Sequence, residues 1–180
     1  MEGSSTYSAE EEPGRAALVR ALARAQQLLE QGAPMRTLLS HLTATVESLS
    51  SDAVASILVL DREGLLRNGA SPNLPADYLD AIDRLKPDPK VGTCAAAAAT
   101  GEVVMTPDFR EDTRWAELRH LPLALGYVSA WSMPIKNAEG RVLGTFGTYF
   151  RQRRTPSCFE QQAVAQLVPL AAAAISGAAA

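Results

Sequence analysis

The sequence predicts an α+β domain, an antiparallel sheet with helices packed on its faces. Three observations carry this expectation. Helical periodicity opens and closes the chain. A β-branched apolar run at residues 53–60 and a long hairpin at 127–150 supply strands. Between them lies a short alanine helix, Cys94-Ala-Ala-Ala-Ala-Ala-Thr, bracketed by Gly92 and Gly101.

Residues 1–14 are small, polar and acidic and end in Pro13-Gly14, which predicts a disordered tail. In residues 15–31, Leu18, Leu22, Ala25 and Leu29 recur at heptad-like spacing, a narrow seam suited to pairing with another helix. Gly32-Ala33-Pro34 breaks that helix. The next carries Met35, Leu38, Leu39, Leu42, Val46 and Leu49 on one wide apolar face, as a core helix does. The run at 53–60 is apolar throughout and reads as a central strand. Asp61-Arg62-Glu63-Gly64 turns it into an antiparallel partner at 65–71.

A helix is expected at 76–85, with Tyr78, Leu79, Ile82 and Leu85 on its apolar side. In the alanine helix Thr93 is placed as an N-cap, and Cys94 falls in the first turn. There the helix dipole favours a thiolate, although the same residue also suits a tight core as a small hydrophobe. A short strand at 103–105 follows. Asp112 then caps a helix running through Arg119, Pro122 interrupts it and Gly126 closes it. Strands at 127–136 and 141–150 flank the turn Asn137-Ala138-Glu139-Gly140. The last helix opens with the capping-box spacing Ser157-Cys158-Phe159-Glu160, and Pro169 lies inside it.

Bulk properties narrow the function. The 180 residues are 47% hydrophobic and 21% charged with a net charge of −3, giving no field that attracts nucleic acid. No apolar run is long enough to span a membrane, and no signal core opens the chain. Only two cysteines, Cys94 and Cys158, are present, so the expectation is a cytoplasmic single domain in a reducing compartment. Two separated histidines do not suggest a metal site.

Several ordered signatures now add up to a resemblance. They are Val-Gly-Thr-Cys at 91–94 with its alanine helix and Thr-Gly-Glu, Asp108 followed by Asp112-Thr113-Arg114-Trp115, Ala130-Trp131-Ser132-Met133-Pro134-Ile135, and Gly140-Arg141-Val142-Leu143-Gly144-Thr145-Phe146. In their order and spacing they resemble the GAF domain of bacterial sensors, above all those attached to histidine kinases and cyclic-dinucleotide enzymes. The resemblance implies a GAF domain at residues 35–176, preceded by a dimerisation or signalling helix at 15–31. It implies a five- or six-stranded antiparallel sheet with terminal helices on one face. On the other face, residues 77–119 would roof a ligand cavity over the 127–150 hairpin.

It further implies a non-catalytic sensor of a small molecule, acting through the terminal helices of a homodimer. The expected interface is Leu18, Leu22, Leu29 and the helix at 159–176. The output would be a kinase or cyclic-dinucleotide enzyme, as partner or fused domain. The candidate ligand-binding residues are Cys94, Asp108, Arg114, Trp115, Tyr127, Ala130, Trp131, Ser132 and Thr145. Alternation puts Trp131 opposite Ala130 and Ser132 without saying which side faces the cavity. Asp108 and Arg114 would orient a polar ligand, or else serve as capping ion pairs.

The specialised chemistries of such domains find less support in these residues. No Asn-Lys-Phe-Asp-Glu type motif for cyclic nucleotides is present, and neither cysteine has the neighbouring histidine of a bilin attachment site. The segment at 114–121, where free-methionine-sulfoxide reductases carry their nucleophile, has no thiol. His120 is the one candidate axial ligand for haem near the roof, with His41 expected to face solvent. Two alternatives stand beside the sensor: an interaction module whose cavity is filled by its own side chains, and a thiol-redox protein using Cys94.

Overall fold

The structure, a computed structural model, describes residues 11–179. Residues 1–10 of the expected tail lie outside the described part. Helix α1 is Glu11–Glu30, so it begins at Glu11 rather than Arg15. The composition read as the tail's end also suits a helix start. Glu11 and Glu12 sit in the first turn, where the dipole favours carboxylates, and a proline there forfeits no intrahelical bond.

Helix α2, Met35–Leu49, buries Leu38, Leu39, Leu42 and Val46. Together with α6, Cys158–Ala178, it covers one face of the sheet, and α1 packs against both helices. A methyl group on Gly14 would lie 3.2 Å from the Phe159 ring. The first turns of α1 and α6 therefore meet, and the two helices run parallel from that end. This packing takes up part of the expected dimer seam within the chain itself. Leu18 and Ala25 are buried within the chain's own core, as are Val164, Leu167 and Ile175 of α6, while Leu22 and Leu29 pack against that core. A 4-3-4 spacing asks for a partner helix, and α2 and α6 of the same chain supply it. His41, expected at the solvent, instead bonds through Nε2 to the Ala21 carbonyl at 2.9 Å and ties α2 to α1.

The sheet contains five antiparallel strands in the order β2-β1-β5-β4-β3. These are β1 Ala53–Leu60, β2 Leu66–Ala70, β3 Val104–Thr106, β4 Ser129–Lys136 and β5 Val142–Phe150. Central strand β5 alternates between two cores. Phe146 and Phe150 join the helix-side core, whereas Tyr149 joins a second, aromatic core on the opposite face. Glycine is required where β5 approaches its neighbours most closely, since a Cβ on Gly144 would overlap the Leu58 carbonyl of β1.

The second face is roofed by α3 Ala76–Ile82, α4 Cys94–Thr100, a 3-10 turn at Thr113–Trp115 and α5 His120–Ala124. Asp112 caps as expected, accepting from the Arg114 backbone N–H at 3.0 Å, but it starts only that single turn. Pro122 does not interrupt a helix. It occupies the first turn of α5, where its missing N–H costs nothing.

Arg154 joins the helix layer to the sheet. It bonds Asp52 at 2.8 Å before β1, Glu160 at 2.8 Å in the first turn of α6, and Ser50 at 3.1 Å after α2. Its guanidinium also stacks 3.6 Å from the Phe150 ring centre. Burial works against the Glu160 carboxylate. The bonds from Arg154 and the Ser157 N–H outweigh it and lower its pKa from 4.5 to about 2. Because the folded value is depressed, this stabilisation is complete above pH 4.5 and is lost as pH falls from 4.5 toward 2. Arg154→Ala should cost roughly 2–3 kcal/mol in thermal or urea unfolding, less than a fully buried pair because Arg154 keeps 24% of its side chain exposed. Glu160→Gln should flatten the loss of stability across that acid window.

Candidate functional site

Helix α4 shapes the roof because it is built from small residues. Gly92 (φ 56°) turns the chain into it, and Gly101 (φ 69°) closes it with its N–H on the Ala97 carbonyl. Ala95 and Ala97 are fully buried, so the helix lies close on β4 and β5. The contact is tight enough that a Cβ on Gly147 would come 3.0 Å from the Cys94 Sγ. Thr93 does not cap the helix as expected. Its backbone is helical, and its hydroxyl accepts a bond from Ser132 Oγ at 3.1 Å instead. The tertiary partner wins over the local one.

Cys94 is thus held inside. Its Sγ lies 3.0 Å from Ser132 Oγ, and burial pushes the thiol pKa up against the opposing hydrogen bond shared with Ser132. The dipole-stabilised thiolate is not realised, because desolvation dominates in this position.

In front of the thiol lies an interior cavity of about 20 Å³. Tyr78, Thr93, Cys94, Trp115 and Tyr149 supply its polar and aromatic wall, with Leu58, Ile82 and other aliphatics around them. Tyr78 donates its hydroxyl proton to Tyr149 Oη at 2.8 Å, the two rings standing at 89°. Burial raises the pKa of both phenols. Trp115 packs against Phe109 with ring centres 4.3 Å apart, and its Nε1–H, although buried, has no hydrogen-bond partner among the described residues.

The structure sorts the sequence candidates. Cys94 and Trp115 line the cavity, and Ser132 and Thr145 face the thiol from the sheet. Tyr127 and Ala130 belong to the aromatic core on the same face, outside the cavity wall. Asp108 and Arg114 stand apart as structural ion pairs. Asp108 accepts from the Arg110 guanidinium at 2.9 Å, which holds its carboxyl below the usual range. Arg114 bonds Asp112 at 2.7 Å and the Met105 carbonyl at 3.1 Å, and its own carbonyl accepts from the Gly92 N–H at 2.8 Å. Burial opposes the Asp112 carboxylate, but the bonds from Arg114 and Thr106 keep its pKa low.

Trp131 is a correction. It faces the terminal helices in the opposite core, because Ala130 and Ser132 are the β4 residues turned toward α4. His120 is exposed on α5 and does not line the cavity. Tyr78 is the cavity-wall residue that sequence reasoning missed. Its one signal was a hydroxyl on an otherwise aliphatic helix face.

A family model described as GAF domain matches residues 32–176. A sequence relative, the methyl sulfide methyltransferase-associated sensor of Methanosarcina acetivorans, is 31% identical over 134 residues, which is 74% of this chain. The chain spans only 13% of that protein's length. Among solved structures, the GAF domain of a phosphoenolpyruvate-protein phosphotransferase from Coxiella burnetii is similar with a TM-score of 0.74 at 17% identity, covering 91% of this chain and 95% of the other. The free methionine-R-sulfoxide reductase of Neisseria meningitidis is similar with a TM-score of 0.72 at 14% identity, covering 97% and 95%. At such identities the structural likeness concerns the fold alone. With its five-stranded antiparallel sheet, its small-residue helix over β4 and β5, and the family match across residues 32–176, this chain belongs to the GAF domain family.

Proposed function

We propose that this GAF domain is a non-catalytic sensor that binds a small molecule in the cavity between α4 and the sheet. The observation that carries the reading is Trp115, a residue of the cavity wall whose buried Nε1–H has no hydrogen-bond partner among the described residues. An unmet buried donor costs about 1–3 kcal/mol, which a ligand acceptor would return. Support for a signalling role comes from the family and from the sensor relative. Ligand occupancy would pass through β5, whose side chains reach both cores, to the terminal helices of a homodimer. The dimer contact would use the outer faces of those helices, where Val19 is exposed, since the Leu18 seam is spent inside the chain. Among the described residues no helix is long and apolar enough to cross a membrane.

One observation favours a second reading, an interaction module with a filled interior. The cavity has only about 20 Å³, room for one or two waters, and any larger ligand has to displace its wall. Native mass spectrometry of the purified chain separates the two readings. A sensor should show excess mass over the denatured chain, lost several-fold in Trp115→Phe while the unfolding temperature changes little, and the same spectrum reports the dimer. Full retention of the excess mass by Trp115→Phe would overturn the pocket assignment.

The non-catalytic part has its own test. A working nucleophile needs an accessible thiolate, whereas Cys94 is buried with its pKa raised and Cys158 is exposed. A thiol-titrating disulfide reagent should therefore modify Cys158 quickly in the native protein and Cys94 only after denaturation. Rapid native modification of Cys158→Ser at Cys94 would restore the thiol-redox alternative.

A further inference from the structure

Two arginines stand uncommitted at one end of the sheet. Strands β1 and β5 are neighbours as far as Val59 and Gly144. The turn that follows β1 carries Arg62, and the turn that leads into β5 carries Arg141. Arg67, Arg110, Arg114, Arg153 and Arg154 are each paired with a carboxylate. The guanidiniums of Arg62 and Arg141 have no hydrogen bond or ion pair among the described residues. The acidic groups of the first turn are engaged elsewhere. Asp61 accepts from the Glu63 and Leu65 N–H groups at 2.9 and 3.0 Å and pairs with Arg67, while Glu63 pairs with Arg84.

Both arginines line one open cleft of about 570 Å³, which reaches from these turns to the last turns of α6. The lining also contains Leu60, Val142 and Leu143, all half-buried aliphatic residues, and Ile175 of α6. The carbonyls that end α6 carry about half a negative charge, and its last turn supplies no basic residue of its own. Half a charge against two guanidiniums leaves the cleft a net positive field. Asp61 is the one carboxylate residue of the lining and is already met by Arg67, and Glu139 of the second turn is not part of the lining. The volume is that of a small-molecule site, unlike the interior cavity of about 20 Å³.

Independently of the pocket reading above, we infer that this cleft is a second binding site, for a compact amphiphilic anion: a short aliphatic chain with an anionic head such as a carboxylate. The head is received by Arg62 and Arg141, whose guanidiniums suit a carboxylate, and the chain lies against the aliphatic lining. A cation is refused by the two like charges. A small inorganic anion would leave the aliphatic residues facing water, so the chain adds binding that charge alone does not. Ser176 and Ala179 belong to the same lining, so occupancy bears directly on the last turns of α6.

Four probes test this: hexanoate, hexanol (the chain without the charge), acetate (the charge without the chain) and hexylammonium (the charge reversed). Each is titrated into the ¹⁵N-labelled full chain, reading the backbone amides of residues 62–64, 139–142 and 175–179. Hexanoate should shift these amides together and bind about tenfold tighter than hexanol or acetate, and hexylammonium should leave them unmoved. Arg62→Gln combined with Arg141→Gln, both at exposed turn positions, should weaken hexanoate about tenfold and leave hexanol unchanged. Added salt should weaken hexanoate but not hexanol. Trp115→Phe alters the interior cavity and should leave hexanoate binding as it is, which keeps the two sites separable. Equal binding of hexanol and hexanoate would mean an apolar patch without anion recognition. Equal binding of acetate would mean a surface ion only, and a triglutamate peptide binding tighter than hexanoate would mark a docking site for an acidic chain. Each of these results overturns the inference, as does undiminished hexanoate binding by the double variant or the absence of any shift at these amides. None of them bears on the cavity between α4 and the sheet.

Discussion

Strand β5 has to serve two cores at once, and the rest of the molecule is arranged around that demand. It is the middle strand of the order β2-β1-β5-β4-β3, so both edges are hydrogen-bonded and both faces covered. Bulky side chains are placed where a layer needs filling: Phe146 and Phe150 toward the helices, Tyr149 toward the roof. Glycine stands where a neighbour must come close, Gly144 beside the Leu58 carbonyl and Gly147 beneath the Cys94 sulfur. A strand that is hydrophobic on both faces is stable only when neither face is left to water. The helix layer and the roof are therefore mutually dependent, and anything that moves Tyr149 is one peptide away from Phe150.

Polar chemistry follows a division of labour. Ionised groups hold the periphery, with Asp108–Arg110 and Asp112–Arg114 bracing the roof loop and Arg154 clamping helices to sheet. The interior of the roof uses only neutral groups, hydroxyls, a thiol and an indole. Burial raises the pKa of the thiol and the phenols and keeps them in that state. The peripheral carboxylates are partly or largely buried, and their bonds to arginine offset the desolvation, while neutral donors can be buried without being unpaired ions.

The fold was largely legible in the sequence because periodicity is a local property. The core face of α2, the apolar run of β1, the hairpin turn and the Ser157–Glu160 capping box each lie within a short window, and each stands in the structure. What was not legible is which partner takes up a local offer. The Leu18 seam asks for a helix without saying whose. The Thr93 hydroxyl would cap α4, but Ser132 claims it from another strand. Alternation divided Trp131 from Ser132 correctly, yet the choice of face depends on where α4 lands, since both faces of β4 are buried. Asp112 announced a cap, and what it starts in the structure is a single 3-10 turn. Tyr78 was hidden by its own helix, being one apolar position among several until Tyr149 meets its hydroxyl.

The parallel course of α1 and α6 has a consequence for longer polypeptides. Their first turns meet at Gly14 and Phe159, so a chain leading into α1 arrives at one end of the helix layer. A chain continuing from α6 departs at the opposite end, about 30 Å away for a helix of this length. Units joined through these two helices would be strung in line like links in a rod, with entry and exit facing away from each other. In such a rod a rotation of α6 against α1 would be delivered as torque to whatever follows.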